Sequence, residues 1–169
     1  MHPDDPILLD SHYKGFPPAE APCALDEIAG RGWNLFHGDL PFPLAVLDQE
    51  ALDHNLRWMQ AFAAERGVEI APHGKTTMSP QIFRRQLDAG AWGLTFATVF
   101  QVGSGVRAGA RRIIVANQVL ADADLDGLTA LLGTYPGLQV WFLVDSESQV
   151  AIVEDWAHRR DWRRPLDCL

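Results

Sequence analysis

The sequence predicts an α/β fold in which helices alternate with the strands of a parallel sheet. Short apolar runs typical of buried strands, such as residues 92–97, 112–116 and 139–144, alternate with longer segments whose apolar residues recur at helical spacing. Glycine, proline or a capping residue separates most of these segments. Such alternation is typical of βαβ units with right-handed crossovers. The 169 residues are enough to bury the core of one domain.

The number of units indicates part of a barrel. The predicted strands are residues 44–47, 68–71, 92–97, 112–116 and 139–144, and another begins at residue 165. About four βα units and a started strand therefore follow Val68, whereas a complete eight-unit barrel takes roughly 250 residues. We expect residues 43–169 to form the N-terminal half of a TIM-type (β/α)8 barrel, ending before its second half. Residues 1–42, rich in Pro and Gly, are predicted to be an irregular lead-in with one short helix near residues 24–29.

The helix starts carry recognisable capping residues. Ser79 is the expected N-cap of a helix with Pro80 at its first position, which is a favourable pairing. Ser146 and Gln149 have the spacing of a capping box. Asp145, which ends a strand, is interpreted as part of this cap, and the alternative is that it supports residues of an active site. The remaining helices are predicted over residues 48–67, from Thr98 to about Ala108, and over residues 125–133.

Composition excludes several classes of function. The chain is 47% hydrophobic and 21% charged, which is typical of a globular protein, and its net charge of −8 argues against nucleic acid as a partner. No run of 18 apolar residues exists, so no membrane span is expected and the cytoplasm is the expected compartment. Cys23 and Cys168 lie far apart without a CxxC spacing, so neither a disulfide framework nor a metal site is expected within the chain.

The segment VEIAPHGKTTMSP, residues 68–80, places a lone lysine at the mouth of a predicted strand. In parallel α/β folds, chemistry lies at the carboxyl ends of the strands. A lysine in a partly desolvated pocket becomes a nucleophile and can form a Schiff base with an aldehyde such as pyridoxal phosphate. Gly74 is expected to let backbone or cofactor approach closely. Spacing alone leaves two interpretations open for Lys75 and His73: active-site residues, or a solvated loop lysine beside a structural histidine.

A family resemblance favours the first interpretation. PHGKTTMSP, with FRRQLDAGAWGLTFAT and IIVANQV after it, resembles the N-terminal alanine racemase-like barrel of the fold-type III pyridoxal-phosphate enzymes. The chain is most similar to the D-serine dehydratase and D-threonine aldolase-like amino acid deaminases, from about Leu9 to its end. The resemblance implies that Lys75 forms the Schiff base, with His73, Thr76, Asn117 and Gln118 as further cofactor-binding residues. Asn117 and Gln118 have an alternative interpretation as turn residues after a strand.

The resemblance also implies a function. It is that of a pyridoxal-phosphate-dependent lyase or deaminase acting on small β-hydroxy D-amino acids such as D-serine or D-threonine, homodimeric as the full-length protein. The family's phosphate-binding loops, C-terminal β domain and divalent-metal ligands would all lie beyond Leu169, so we expect the 169-residue chain alone to be inactive. Racemase chemistry, a cofactor-carrier protein and a non-catalytic gene fragment are the alternatives.

Overall fold

The computed structural model describes residues 7–169, so residues 1–6 of the predicted lead-in lie outside the described part. Contacts divide the described residues into two compact units, one that ends at residue 49 and one that covers residues 50–169. The predicted domain boundary, between the lead-in that ends at residue 42 and the barrel that begins at residue 43, stays a prediction. Between residues 7 and 169, no helix is both long enough and apolar enough to cross a membrane.

The N-terminal unit is a small assembly built around a two-stranded ribbon. Strand β1, Leu8–Leu9, pairs antiparallel with β2, Cys23–Ala24. The predicted short helix is a 3-10 helix over Leu25–Arg31, and a second 3-10 helix covers Leu35–His37. Phe16 is buried and packs edge to face on Trp33, with ring centroids 5.4 Å apart. The lead-in is therefore more regular than its composition predicts.

The second unit is a parallel sheet of four strands in the order β3-β4-β5-β6. Its strands are β3 (Leu94–Phe96), β4 (Arg112–Val115), β5 (Gln139–Phe142) and β6 (Asp167–Cys168). Its helices are α1 (Gln49–Glu65), α2 (Pro80–Asp88), α3 (Val99–Arg107), α4 (Asp122–Thr134) and α5 (Glu147–Arg159). Strands and helices alternate from α2 onward, which confirms the predicted α/β class.

The two faces of this sheet differ in burial. On one face, Phe96, Val115 and Phe142 lie opposite one another on neighbouring strands. These side chains are buried in a core that also contains residues of α2 to α5. The other face carries a row that we call the open row: Thr95, Ile114, Trp141 and Asp167. Along it, burial falls from Thr95 to the exposed Asp167. Helices cover only the outer face of a (β/α)8 sheet, so this one-sided arrangement fits the predicted barrel.

The strand predicted over residues 44–47 is wrong. This segment lies outside the regular strands, and Val46 and Leu47 are 58% and 69% exposed. An apolar run predicts a strand only when a neighbouring strand pairs with it and buries it. Within the described residues, no such pairing involves residues 44–47.

The strand predicted over residues 68–71 is also wrong as a regular strand. Pairing is instead shifted along the chain to residues 70–74, which run parallel to β3. Trp92 N donates to Ile70 O (2.9 Å), and Thr95 N donates to Pro72 O (2.8 Å). Pro72 has no N–H to return a bond, so the ladder is interrupted beside it.

The predicted helix starts are largely confirmed. Pro80 begins α2, and the Ser79 Oγ accepts a hydrogen bond from Ile82 N (3.4 Å). Ser146 Oγ likewise accepts from Gln149 N (3.3 Å), but the reciprocal bond of a capping box is not formed. The Gln149 side chain is instead buried beneath the helix start. Thr98 lies at the cap position of α3, yet its side chain makes no capping bond.

Charged side chains join α4 to α5. Arg159 binds the Asp122 carboxylate through two nitrogens, and Arg160 binds Asp126 in the same way. Trp156 Nε1 also donates to Asp126 (3.0 Å). These hydrogen bonds, from Arg160 first and Trp156 second, lower the pKa of Asp126 to about 2. The arginines at the end of α5 therefore pair with neighbouring carboxylates.

Candidate active site

Lys75 lies in the loop that follows the strand-like segment 70–74. Gly74 N donates to Thr95 O (2.8 Å), which fixes the end of the segment against β3. The chain then turns, with Met78 N donating to Gly74 O (3.0 Å) and Met78 in the left-handed region at φ 46°. The Lys75 side chain is exposed at this carboxyl end. No hydrogen bond or ion pair to its ammonium is recorded among residues 7–169.

Gly74 is required for the packing beneath this loop. A Cβ at Gly74 would lie 2.5 Å from Phe96 Cε1 and 2.7 Å from Phe83 Cε1. Both rings are fully buried and stack edge to face with centroids 5.3 Å apart. The close approach predicted at Gly74 is therefore made by two core phenyl rings, and it seats the backbone that carries Lys75.

His73 is placed by its pairing with β3. It bridges Thr95 in the parallel register, so it belongs to the same face of the sheet as the open row. Thr95 is itself 6% exposed, and its Oγ1 donates to Ala71 O (2.7 Å). The His73 side chain is exposed two residues before Lys75. Its cofactor-binding role stays a prediction.

The hydroxyl groups after Lys75 have different roles. Ser79 Oγ caps α2 and lies 3.0 Å from Gln81 Oε1, to which it donates. Thr77 Oγ1 accepts a long bond from Ser79 N (3.5 Å). Thr76 and Thr77 are both exposed, and the Thr76 hydroxyl makes no bond within residues 7–169.

Asn117 and Gln118 lie at the carboxyl end of β4. Asn117 Nδ2 donates to Ala97 O (2.9 Å) just after β3, and Gln118 Nε2 donates to Asp145 Oδ2 (2.6 Å) just after β5. Both side chains thus tie neighbouring strand ends together. The cap interpretation of Asp145 is wrong, because Ser146 caps α5 and the Asp145 carboxylate accepts from Gln118.

The fold therefore gathers the five candidate residues at the carboxyl ends of adjacent parallel strands. His73, Lys75 and Thr76 come from the segment paired with one side of β3, and Asn117 and Gln118 follow β4 on its other side. Within residues 7–169, no hydrogen bond or ion pair joins the two groups. No group of three His, Cys, Asp or Glu side chains suited to a metal ion occurs there either.

Sequence reasoning missed the buried polar side chain of Gln149, which lies near the carboxyl end of β5. Gln149 is 2% exposed and donates from Nε2 to Leu143 O (2.7 Å), while its Oε1 accepts from Asp145 N (3.2 Å). This side chain fixes the backbone that presents Asp145 to Gln118. The Ser-x-x-Gln spacing was the available signal, but it indicated a capping box rather than a buried side chain.

No protein-family model matches the chain. Several curated relatives match it over part of its length. A D-threonine aldolase of Arthrobacter sp. is 40% identical over 91 residues, which are 54% of this chain and 23% of the relative. A 3-hydroxy-D-aspartate aldolase of Paracoccus denitrificans is 29% identical over 114 residues, covering 67% of this chain and 29% of the relative.

Comparison with solved structures finds the same kinds of enzyme as the sequence comparison. A D-threonine aldolase from Filomicrobium marinum superposes with a TM-score of 0.68 at 27% identity, over 78% of this chain and 34% of that one. The chain is similar to aldolases and a dehydratase of D-amino acids, which are fold-type III pyridoxal-phosphate enzymes. Among these homologues, the D-threo-3-hydroxyaspartate dehydratase from Delftia sp. HT23 gives a TM-score of 0.62 at 28% identity, covering 72% of this chain and 31% of its own.

These homologues are pyridoxal-phosphate-dependent aldolases and dehydratases, which confirms the resemblance seen in the sequence. The chain spans less than a third of the length of the curated relatives that it matches. The homology thus covers the part that contains Lys75. The activity of the whole protein can only be proposed from it.

Proposed function

We propose that the whole protein carrying this sequence is a pyridoxal-phosphate-dependent lyase that acts on β-hydroxy D-amino acids, and that Lys75 binds the cofactor. One observation supports this most directly. Lys75 is an exposed primary amine at the carboxyl end of a strand-like segment, in a chain homologous to aldolases and dehydratases of D-amino acids. The carboxyl ends of parallel strands are where such folds place their chemistry.

The residues present fit the aldehyde part of the cofactor. An amine that is exposed and without an ion pair in residues 7–169 is free to condense with an aldehyde, as lysines do in this chemistry. Thr76 and His73 flank it with polar side chains. Asn117 and Gln118 use their amide nitrogens as donors within the protein, and their side-chain carbonyl oxygens could accept hydrogen bonds from a ligand. We propose these four as the neighbouring cofactor contacts.

The bound cofactor would supply an electron-withdrawing ring that stabilises negative charge at the substrate Cα. Lys75 would act on protons. In dehydration, its Nζ would take the proton from Cα, and the β-hydroxyl would take up a proton and leave as water. Hydrolysis of the released imine by water would then give a keto acid and ammonia. In aldol cleavage, a base would take the proton of the β-hydroxyl, and the Cα–Cβ bond would break to release an aldehyde. A proton returned to Cα would then give glycine.

A divalent metal is proposed for the whole protein. One solved structure of the homologous dehydratase is described as a metal-free form, which supports a metal in that enzyme. Residues 7–169 here offer no group of three suitable side chains, so we propose that residues outside them would bind the metal. We also propose a homodimer for the whole protein.

The lysine content of this sequence makes the cofactor site testable. Lys14 and Lys75 are its two lysines. We expect incubation of the whole protein with pyridoxal phosphate, borohydride reduction and peptide mapping to place the phosphopyridoxyl group on Lys75. Lys75→Gln should lose this label, whereas the matched variant Lys14→Gln should keep it. A label on Lys14, or one that survives in Lys75→Gln, would contradict the proposal.

Product assays then distinguish the functions. A lyase should release ammonia from D-serine, or glycine and an aldehyde from D-threonine, and should lose both activities in Lys75→Gln. A carrier would bind the cofactor at Lys75 without turnover, and a non-catalytic fragment would do neither. The 169-residue chain alone should show little turnover, because Lys75 is exposed to water in it and catalytic lysines depend on a desolvated surrounding.

A further inference from the structure

The N-terminal unit contains a cleft that the proposed lyase activity does not use. Its volume is about 490 Å³, within the range of small-molecule sites. The walls are mainly apolar and include Phe16, Ile28, Trp33 and Leu44. All of its lining residues lie between Leu9 and Leu44. We call it the N-terminal cleft.

Local backbone structure holds this cleft open. Tyr13 N donates to Asp10 O (3.0 Å) and Phe16 N donates to Tyr13 O (3.1 Å), so two successive turns carry residues 10–16 along one wall. Gly15 adopts φ 90°, and a Cβ there would overlap the Leu44 side chain. The edge-to-face contact between Phe16 and Trp33 fixes the aromatic part of the wall. The cavity is thus preformed.

Charge at the cleft has one sign. Lys14 is the charged residue in its lining, and no Asp or Glu lines it. This is unexpected in the surrounding segment, where residues 7–49 contain six acidic residues and two Lys or Arg residues. The second cation, Arg31, already pairs with Glu20 at 3.6 Å. Lys14 is exposed and forms no recorded ion pair within the described chain. Tyr13, half exposed beside it, adds a phenolic hydroxyl.

We propose that the N-terminal cleft binds a small organic monoanion with an aromatic or branched hydrocarbon body. The hydrocarbon part would fill the space beside Phe16 and Trp33, and its carboxylate would accept hydrogen bonds from Lys14 and Tyr13. A single cation in the lining of an apolar cavity selects this class, because a neutral ligand gains less from Lys14 than a carboxylate does and a cation is repelled by it. A dianion would leave one charge without a partner.

Titration calorimetry of the whole 169-residue chain tests this with three probes that share a phenyl group. We expect 3-phenylpropanoate to bind with a dissociation constant of about 1 mM or tighter. The neutral 3-phenylpropanamide should bind about fivefold more weakly, and the cationic 3-phenylpropylamine should not bind measurably. Equal affinity for all three would overturn the assignment of an anion site, as would no saturable binding of the carboxylate.

Paired variants locate the binding. Lys14→Gln should weaken the carboxylate about fivefold, the size of a partly exposed ion pair, and leave the amide unchanged. Ala29→Phe, which fills the cleft, should abolish binding of both, whereas Ala19→Phe, at an exposed position outside the lining, should have no effect. Lys75→Gln should bind the carboxylate like the wild type. Loss of binding in Lys75→Gln with retention in Lys14→Gln would place the anion at the other lysine and refute the proposal.

Discussion

Substituting Gly74 by alanine adds one methyl group at the point where the Lys75 loop contacts the core. The added Cβ would lie 2.5 Å from Phe96 Cε1 and 2.7 Å from Phe83 Cε1, well inside van der Waals contact. Both rings are fully buried among other apolar side chains, so neither can swing into solvent. Either the rings or the loop backbone must therefore move.

The change in the free energy of unfolding is the difference between two opposing effects. Overpacking of a well-packed core costs about 1–3 kcal/mol. Replacing glycine by alanine lowers the conformational entropy of the unfolded chain, which stabilises the fold by about 0.4–1 kcal/mol. We expect Gly74→Ala to lower the free energy of unfolding by about 1–2 kcal/mol. For a chain of this size that is a Tm lower by roughly 2–8 °C.

Gly133 provides a matched control. It lies within α4, its φ is not positive, and a methyl group added there would have no neighbouring atom within 4 Å. Gly133→Ala should therefore raise the free energy of unfolding by about 0.5–1 kcal/mol through helix propensity. Urea denaturation followed by circular dichroism at 222 nm measures both changes. A Gly74→Ala chain as stable as Gly133→Ala would refute the packing argument.

A double mutant identifies the atoms responsible. Phe83→Leu removes the ring edge that the new methyl group would meet. Combined with Gly74→Ala, it should cost about 1 kcal/mol less than the sum of the two single changes, because residues in contact are coupled. Strict additivity would show that the methyl group is accommodated without pressing on Phe83.

Two further predictions concern buried and paired polar groups. Hydrogen bonding, chiefly from Arg160, lowers the pKa of Asp126 from 3.8 to about 2, so this carboxylate stabilises the fold above pH 4 and loses that effect as the pH falls toward 2. Asp126→Asn should therefore make unfolding less pH-dependent between pH 4 and 2 in acid titrations, and an unchanged slope would contradict this. Gln149→Leu should lower the free energy of unfolding by about 1–3 kcal/mol in urea, because it leaves Leu143 O without its buried donor. The exposed Gln139→Leu should change it by less than about 0.5 kcal/mol, and equal effects would refute the role of burial.

Much of the fold could be predicted from patterns of residues that are close together in the sequence. Ser79 followed by Pro80 located the start of α2, because a capping oxygen and a proline without N–H both act within one turn. Apolar runs located β3, β4 and β5, since each is buried against helices that follow it directly in the chain. The order of these elements then predicted the parallel sheet.

Contacts between distant residues were not predictable in the same way. Pro72 lies at the centre of the shifted pairing with β3, and the register depends on residues more than 20 positions away. Arg160 and Asp126 are 34 positions apart, so the sequence of α5 alone does not reveal their pairing. For the candidate site, the PHGKTT motif located Lys75 at a strand end. The Gln118–Asp145 bond became visible only when β4 and β5 were placed side by side.

The open row crosses four strands with one side chain from each, and none of its members belongs to the rows that pack against the helices. Changes of size or polarity at Ile114 or Trp141 would therefore leave the helical layer in place. Natural variation could diversify what the inner surface recognises while the scaffold persists, because the backbone separates the two sets of side chains.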